Sequence, residues 1–265
     1  MLLENKNAVI YGGGGAIGGA VARSFAREGA TVHLVGRTRA SLDRVAKEIS
    51  AAGGRAETAE VDAQDASAVD QHADAVTASA GSIDIAVNAV GIAHVQGTPF
   101  AELSFEDYAH PITAYTRTNF LTAKAVARHM TERGSGVILM IAPGPGARLS
   151  GQGFLGNGVA AAALEALSRI LAGELGPAGI RVNCLRPHAI PEAVATSHTR
   201  ELFTGMAGLS GLSIEAWLSG LAGTTLLARL PTLAEVADTA AFVASDRASA
   251  ITGAIVNLTS GALVD

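Results

Sequence analysis

The run Ala8-Val-Ile-Tyr11-Gly12-Gly13-Gly14-Gly15-Ala16-Ile17-Gly18 restricts the fold of this chain more than any other segment. It opens with apolar residues suited to a buried strand, and Val21 and Phe25 follow at helical spacing. The glycines between allow a tight turn and let a diphosphate approach the backbone with no Cβ in the way. The first N–H groups of the helix then face the negative charge. A glycine run alone fits a plain turn equally well; its place between strand and helix selects the dinucleotide-binding reading.

Along the rest of the chain, short apolar runs alternate with helical patterns, as in parallel βαβ units. Strands are expected near 7–11, 31–36, 56–61, 83–88, 136–142, 179–185 and 253–258, with helices between them. Two helix starts are marked, at Ser104 with Asp107, and at Thr232 with Glu235 as a capping box after Pro231. From Ala160 the residues Ala163, Leu164, Leu167, Ile170 and Leu171 complete an apolar helical face, expected to pack on the sheet. The expected fold class is α/β, a Rossmann-type doubly wound parallel sheet with helices on both faces. At 265 residues and 49% hydrophobic, the chain is expected to form one dinucleotide-binding domain over 1–265. A Leu/Ala/Gly-rich stretch at about 192–228 reads as a mobile substrate lid.

A net charge of −5 gives no electrostatic case for nucleic acid or an anionic membrane. The single cysteine, Cys184, has no internal disulfide partner, and Met1 to Lys6 lack the build of a signal peptide. No apolar run approaches the roughly 18 residues that span a bilayer. A cytoplasmic protein is expected.

The end of the second expected strand, Val35-Gly36-Arg37-Thr38-Arg39, bears on the cofactor. Selection of NAD usually places a carboxylate there for the ribose 2′-hydroxyl, whereas a 2′-phosphate calls for arginine. Gly36 stands where the acid would be, so NADPH is the expected cofactor, with Arg37 and Thr38 at its phosphate. The plainer alternative makes Arg37 and Arg39 solvated loop charges.

Further segments resemble the short-chain dehydrogenase/reductase family in order and spacing. The glycine run resembles Thr-Gly-x-x-x-Gly-Ile-Gly, with Tyr11 in place of threonine and Ala16 in place of the middle glycine. Asp62 and Ala63 resemble the pair beside the adenine, and Asn88, Ala89, Val90 and Gly91 stand for Asn-Asn-Ala-Gly. Asn119 matches the catalytic asparagine, and Gly179 to Pro187 match the sixth strand and its exit, with His188 where glycine is usual. The resemblance implies a seven-stranded sheet and a homodimer or homotetramer. It also implies cofactor contacts from Gly12, Gly14, Gly15, Ala16, Ile17, Gly18, Arg37, Thr38, Asp62, Ala63, Asn88, Ala89, Val90, Asn119, Pro187, His188 and Ile190.

The resemblance fails where the family places its chemistry. The family's Tyr-x-x-x-Lys falls on Asn157 and Ala161, and the lysines, Lys6, Lys47 and Lys124, each lack a tyrosine four residues earlier. The serine position falls on Pro143 or Ala142. A positioned general acid is worth about 10²–10⁴ in rate, so ketone reduction by the usual route is not expected. An iminium ion accepts hydride without needing that proton, and Asn157 can accept a hydrogen bond from its N–H. The leading expectation is thus an imine-reductase-like NADPH enzyme acting on a mainly apolar small molecule. The alternatives are a catalytically silent NADP(H)-binding sensor or partner subunit, a reductase of C=O or activated C=C using another donor, and a lyase or isomerase. Candidate catalytic residues are Asn157, Asn119, His188 and Tyr115. His94 is a further polar candidate, and Gln152 an orienting group. No Cys/His spacing suggests a metal. In the lid, Phe203, Met206, Leu209, Trp217 and Leu218 suggest an apolar lining, Gly205, Gly208 and Gly211 suggest freedom to move, and Glu192, Glu201 and Glu215 are candidate attractors of a cationic amine.

Overall fold

The computed structural model describes residues 1–144, 151, 153–195, 197 and 199–264. Gln152 lies outside the described residues. Seven parallel strands form one sheet: β1 (Asn7–Tyr11), β2 (Thr31–Gly36), β3 (Arg55–Glu60), β4 (Ile85–Asn88), β5 (Gly136–Ile141), β6 (Ile180–Pro187) and β7 (Ile255–Leu258). Their order is β3-β2-β1-β4-β5-β6-β7. The order reverses between β1 and β4, and that switch point leaves a crevice at the carboxyl ends of the strands.

Side-chain alternation divides the core. Ala8, Ile10, Val32, Leu34, Val87 and Leu139 face one layer, where they meet Val21, Phe25, Val45 and Ala240. These come from α1 (Ala16–Arg27), α2 (Arg39–Ala51) and α8 (Leu233–Ala244). Val9, Tyr11, Val35, Ile138, Met140 and Val182 face the other layer, against Val69, Val126 and Ala172. That layer holds α3 (Ala66–Ala80), α4 (Phe105–Arg133) and α5 (Leu155–Leu175). Central strands buried on both faces need near-continuous apolar sequence, whereas the edge strand β3 is partly exposed along its length.

Strand ends differ from expectation by one or two residues for local reasons. β4 begins at Ile85 because Asp84 is committed elsewhere: its carboxylate accepts the Asn7 N–H at 2.8 Å and pairs with Arg133 at 2.9 Å. β6 runs on to Pro187 because Pro187 is in register with Leu258. Both expected caps form. Ser104 Oγ accepts the Asp107 N–H, and Thr232 with Glu235 makes the reciprocal box.

The apolar face expected on α5 is rotated. Ala160, Ala161, Leu164, Glu165, Ser168 and Ala172 are buried, whereas Ile170 is 66% exposed. Glu165 goes inside because Arg186 of β6 meets it at 3.4 Å, and a buried charge needs such a partner. By length and composition the segment 155–178 passes for a membrane-crossing helix, contrary to the expectation from apolar runs. Here it packs against α4 and β6 as a core helix. The stretch between β6 and α8 carries α6 (Thr199–Leu209) and α7 (Ile214–Gly223), joined by a turn at Gly211, φ +63°.

Candidate dinucleotide cleft and active site

A cavity of about 850 Å³ runs along the carboxyl edge of the sheet, from α2 past the switch point to α7. At one end Gly12, Gly14, Gly15, Ala16 and Ile17 line it. Gly12 has φ +80°, and a Cβ there would sit 2.4 Å from Ala89 O, so the turn accepts glycine alone. The helix α1 starts at Gly15 without a side-chain cap, leaving its first N–H groups to the cleft. This cradle fits a diphosphate. Gly18 has another role: its missing Cβ would lie 2.2 Å from Gly12 O, so it seats α1 against the loop and does not line the cleft.

Beyond the loop, Arg37 and Thr38 line the same wall. Arg39 is engaged with Asp43 at 2.8 Å, whereas the exposed Arg37 has no ion-pair or hydrogen-bond partner among the described residues. Ser41 joins them, with its hydroxyl packed on Gly14 and donating to Thr38 O at 2.8 Å. Sequence reading missed Ser41, because a contact between segments 27 residues apart has no local signal. Asp62 is exposed on the opposite wall, where one carboxylate oxygen accepts the Gln64 N–H at 2.9 Å. Ala63, Ala89, Val90, Pro187, His188 and Ile190 also line the cleft.

Asn88 and Asn119, expected at the cofactor, stand behind the wall. Asn88 donates to Thr122 Oγ1 at 2.9 Å and accepts the Val90 N–H at 3.2 Å, which fixes the end of β4 against α4. Asn119 is 1% exposed and donates to Tyr115 O at 2.9 Å. Its buried Oδ1 has no partner. The helix α4 passes through Asn119 unbroken.

At the other end, β5 and α5 bring Pro143, Gly144 and Asn157 together on the cleft wall. Gly144 has φ +63°, and a Cβ there would lie 2.9 Å from Asn157 Nδ2, so the glycine makes room for the amide. Ala161 is buried one turn further along α5 and does not line the cleft. Tyr115 and His94 line it with rings 6.0 Å apart. The Tyr115 hydroxyl accepts the Ile92 N–H at 3.4 Å, and burial pushes its pKa up to about 12. His188 Nδ1 accepts the Ala189 N–H at 2.6 Å, which leaves the proton of the neutral ring on Nε2, and burial pushes its pKa down. The Nδ1 of His94 meets Ile92 O at 2.7 Å, and its Nε2 meets the Gln96 amide at 2.9 Å.

The lid supplies Leu202, Phe203, Trp217 and Leu221 to the lining. Met206 and Leu218 turn inward instead, and Leu209 is 40% exposed. Gly205 departs from its expected role in lid motion. Its missing Cβ would be 2.7 Å from Gln96 O, that of Gly97 would be 2.6 Å from Gly205 O, and that of Gly153 would be 2.7 Å from Gly97 Cα. A Gly97 N–H to Gly153 O bond of 3.0 Å completes this three-backbone contact. Glu192 accepts the Leu233 N–H at 2.9 Å, Glu201 and Glu215 are exposed, and none of the three lines the cleft.

A parallel sheet with a glycine cradle at its switch point is the architecture of a dinucleotide-binding protein, and comparison with known proteins narrows it to the nicotinamide-dependent oxidoreductases. A family model described as enoyl-(acyl carrier protein) reductase matches residues 14–262. The chain is 30% identical over 264 residues to D-threitol dehydrogenase of Mycolicibacterium smegmatis, across 98% of this chain and 93% of that one. It is 31% identical over 261 residues to the 3-oxoacyl-[acyl-carrier-protein] reductase FabG of Chlamydia muridarum, across 98% of both. Among solved structures, 7α-hydroxysteroid dehydrogenase complexed with NADH and 7-oxo glycochenodeoxycholic acid matches with TM-score 0.85 and 27% identity, covering 99% and 96% of the two chains. NAD+-bound xylitol dehydrogenase shares the fold at TM-score 0.91 and 24% identity, covering 98% and 100%. The chain belongs to the short-chain dehydrogenase/reductase family.

Proposed function

We propose that this protein is an NADPH-dependent reductase that acts on the C=N bond of an iminium-type substrate, and that it works without the tyrosine and lysine whose places Asn157 and Ala161 occupy. The carrying observation is the set of groups around Asn157. The Tyr115 hydroxyl is engaged by the Ile92 N–H and burial pushes its pKa up, burial pushes that of His188 down, and Asn157 is an amide. None of them is tuned toward neutral pH as an efficient general acid for an alkoxide would be. When bound, NADPH supplies a hydride with its electron pair to the iminium carbon, the π pair moves to nitrogen, and a neutral amine forms with no proton transferred. In this reading Asn157 Oδ1 accepts the iminium N–H and orients it beside Gly144. Alanine at position 161 leaves no ammonium to repel the cation. Arg37, with Thr38 and Ser41 beside it, supports selection of the 2′-phosphate, and Asp62 is placed for the adenine amino group. Closure of the lid over the cleft would exclude water. Phe120 and Ile170, 52% and 66% exposed on α4 and α5, support assembly as a homodimer or homotetramer.

The test is NADPH oxidation, followed by absorbance, against matched cyclic imines and ketones over a range of pH. Imines should be reduced, with rates following imine protonation, and ketones should lag by about 10² or more. Asn157→Ala should lower imine turnover by about fivefold, as expected for one hydrogen bond. The double variant Asn157→Tyr/Ala161→Lys should raise ketone turnover. Ketone reduction by wild type as fast as imine reduction would overturn the proposal. NADPH binding with no oxidation across the panel would also overturn it, in favour of a cofactor-sensing role.

A further inference from the structure

The substrate end of the cleft differs from its adenosine end in charge and in aromatic content. Among the described lining residues, the Asp, Glu, Lys and Arg side chains are Asp62 and Arg37, both at the adenosine end. The three nearby lid carboxylates stay off the wall. In their place stand Phe154 from the start of α5 and the pair Phe203 and Trp217 from α6 and α7. The rings of Phe203 and Trp217 lie 5.1 Å apart, tilted by 57°. Both are half-buried, so each leaves part of its surface toward the cavity. Tilted aromatic pairs present positive ring edges beside negative faces, an arrangement a third ring can extend. A charged substituent at this position would be desolvated with no counter-charge on the described wall.

We propose that the outer cleft recognises an uncharged aromatic ring attached to the reducible carbon, and that Phe203 and Trp217 set this preference. The inference rests on the reductase reading above and narrows its substrate class to aryl imines. An aromatic third partner is worth about fivefold in affinity beyond its buried area.

The chain has one tryptophan, so its emission reports on this subsite alone. The experiment uses the full chain with NADP+, which binds the dinucleotide half but cannot deliver hydride. It titrates 2-phenyl-1-pyrroline against 2-cyclohexyl-1-pyrroline, a pair equal in carbon count and in the C=N ring. The expected result is that the phenyl compound binds about fivefold tighter and changes Trp217 emission. In Phe203→Leu the ratio should fall toward one while cyclohexyl affinity stays within about twofold. Equal affinities in wild type, or phenyl binding with no change in emission, would overturn the inference even if Phe203→Leu fails to fold. Acetophenone and cyclohexyl methyl ketone, run in parallel with NADPH, separate the two claims. Aryl preference with ketones turned over and imines inert would sink the C=N reading and keep the ring subsite. Imine turnover with no aryl preference would do the reverse.

Discussion

The two ends of the cleft are built from different materials. At the dinucleotide end the essential contacts are between backbones: Gly12 against Ala89, Gly18 against Gly12, and the uncapped start of α1. At the substrate end the wall consists of individual side chains, Asn157, His188, Tyr115, Phe203 and Trp217, rather than of backbone. Binding is therefore tied to the fold, while chemistry rests on a few positions that can change independently. That is how a chain can keep a dinucleotide cradle while presenting an amide at position 157.

The contrast can be broken most severely at its backbone end. Gly18→Val would place a Cβ about 2.2 Å from Gly12 O, where no flexible side chain can yield. We expect a loss of roughly 3 kcal/mol or more of stability together with NADPH binding, measured by denaturant unfolding and cofactor titration. Retained NADPH affinity would show that the loop tolerates a displaced helix. Next in size, Arg37→Asp should weaken NADPH by about 10–100-fold and leave NADH within about threefold, read by equilibrium binding. An unchanged ratio would remove the 2′-phosphate contact from the account.

A third prediction concerns acid stability beneath the adenosine end. Tyr11 and His72 stack edge to face there at 6.3 Å, and the Tyr11 hydroxyl, His33 Nε2 and His72 Nδ1 are buried without partners. Burial, with His33 nearby, pushes the His72 pKa down to about 4, and burial also lowers that of His33 despite Glu57 at 3.4 Å. Because the unfolded histidine binds its proton at higher pH, stability is intact above pH 6.5 and falls as pH drops toward 4. Allowing for partial exposure, His72 contributes about 2 kcal/mol to that fall. Unfolding curves at pH 7.5 and 4.5 should show it, and His72→Gln should shrink the difference. The smallest effect belongs to the lid. Gly205→Ala should raise the substrate KM by about threefold to tenfold with NADPH affinity unchanged, because its Cβ presses on Gln96 O rather than on the cofactor cradle.

The places of the strands along the chain and the cradle were legible because glycine spacing and apolar period are local signals, and β1 and β2 match the expected residues. The close seat of Gly18 on Gly12, the place of Asn119 behind the wall and the inward turn of Glu165 were not, since each depends on what another segment brings. Asn157 was singled out in the sequence as a departure from the resemblance, and it lines the cleft. Its companion Gly144 was hidden, because a positive φ beside an incoming side chain is a property of two strand and helix ends meeting. Gly205 shows the limit most plainly: glycine reads as freedom in sequence, and here it marks a place where two backbones touch.

That contact among Gly97, Gly153 and Gly205 gives the cleft a fixed jamb. Because α6 presses on the loop at Gly97, which in turn touches Gly153, any opening of the cleft would fall to α7 and the turn at Gly211. Traffic would then pass on the Trp217 side, and a departing product would cross that ring last. On the proposed aryl subsite, the residue that selects the ligand would also stand at its exit, and a tighter grip there would slow turnover by delaying release while leaving the chemical step unchanged.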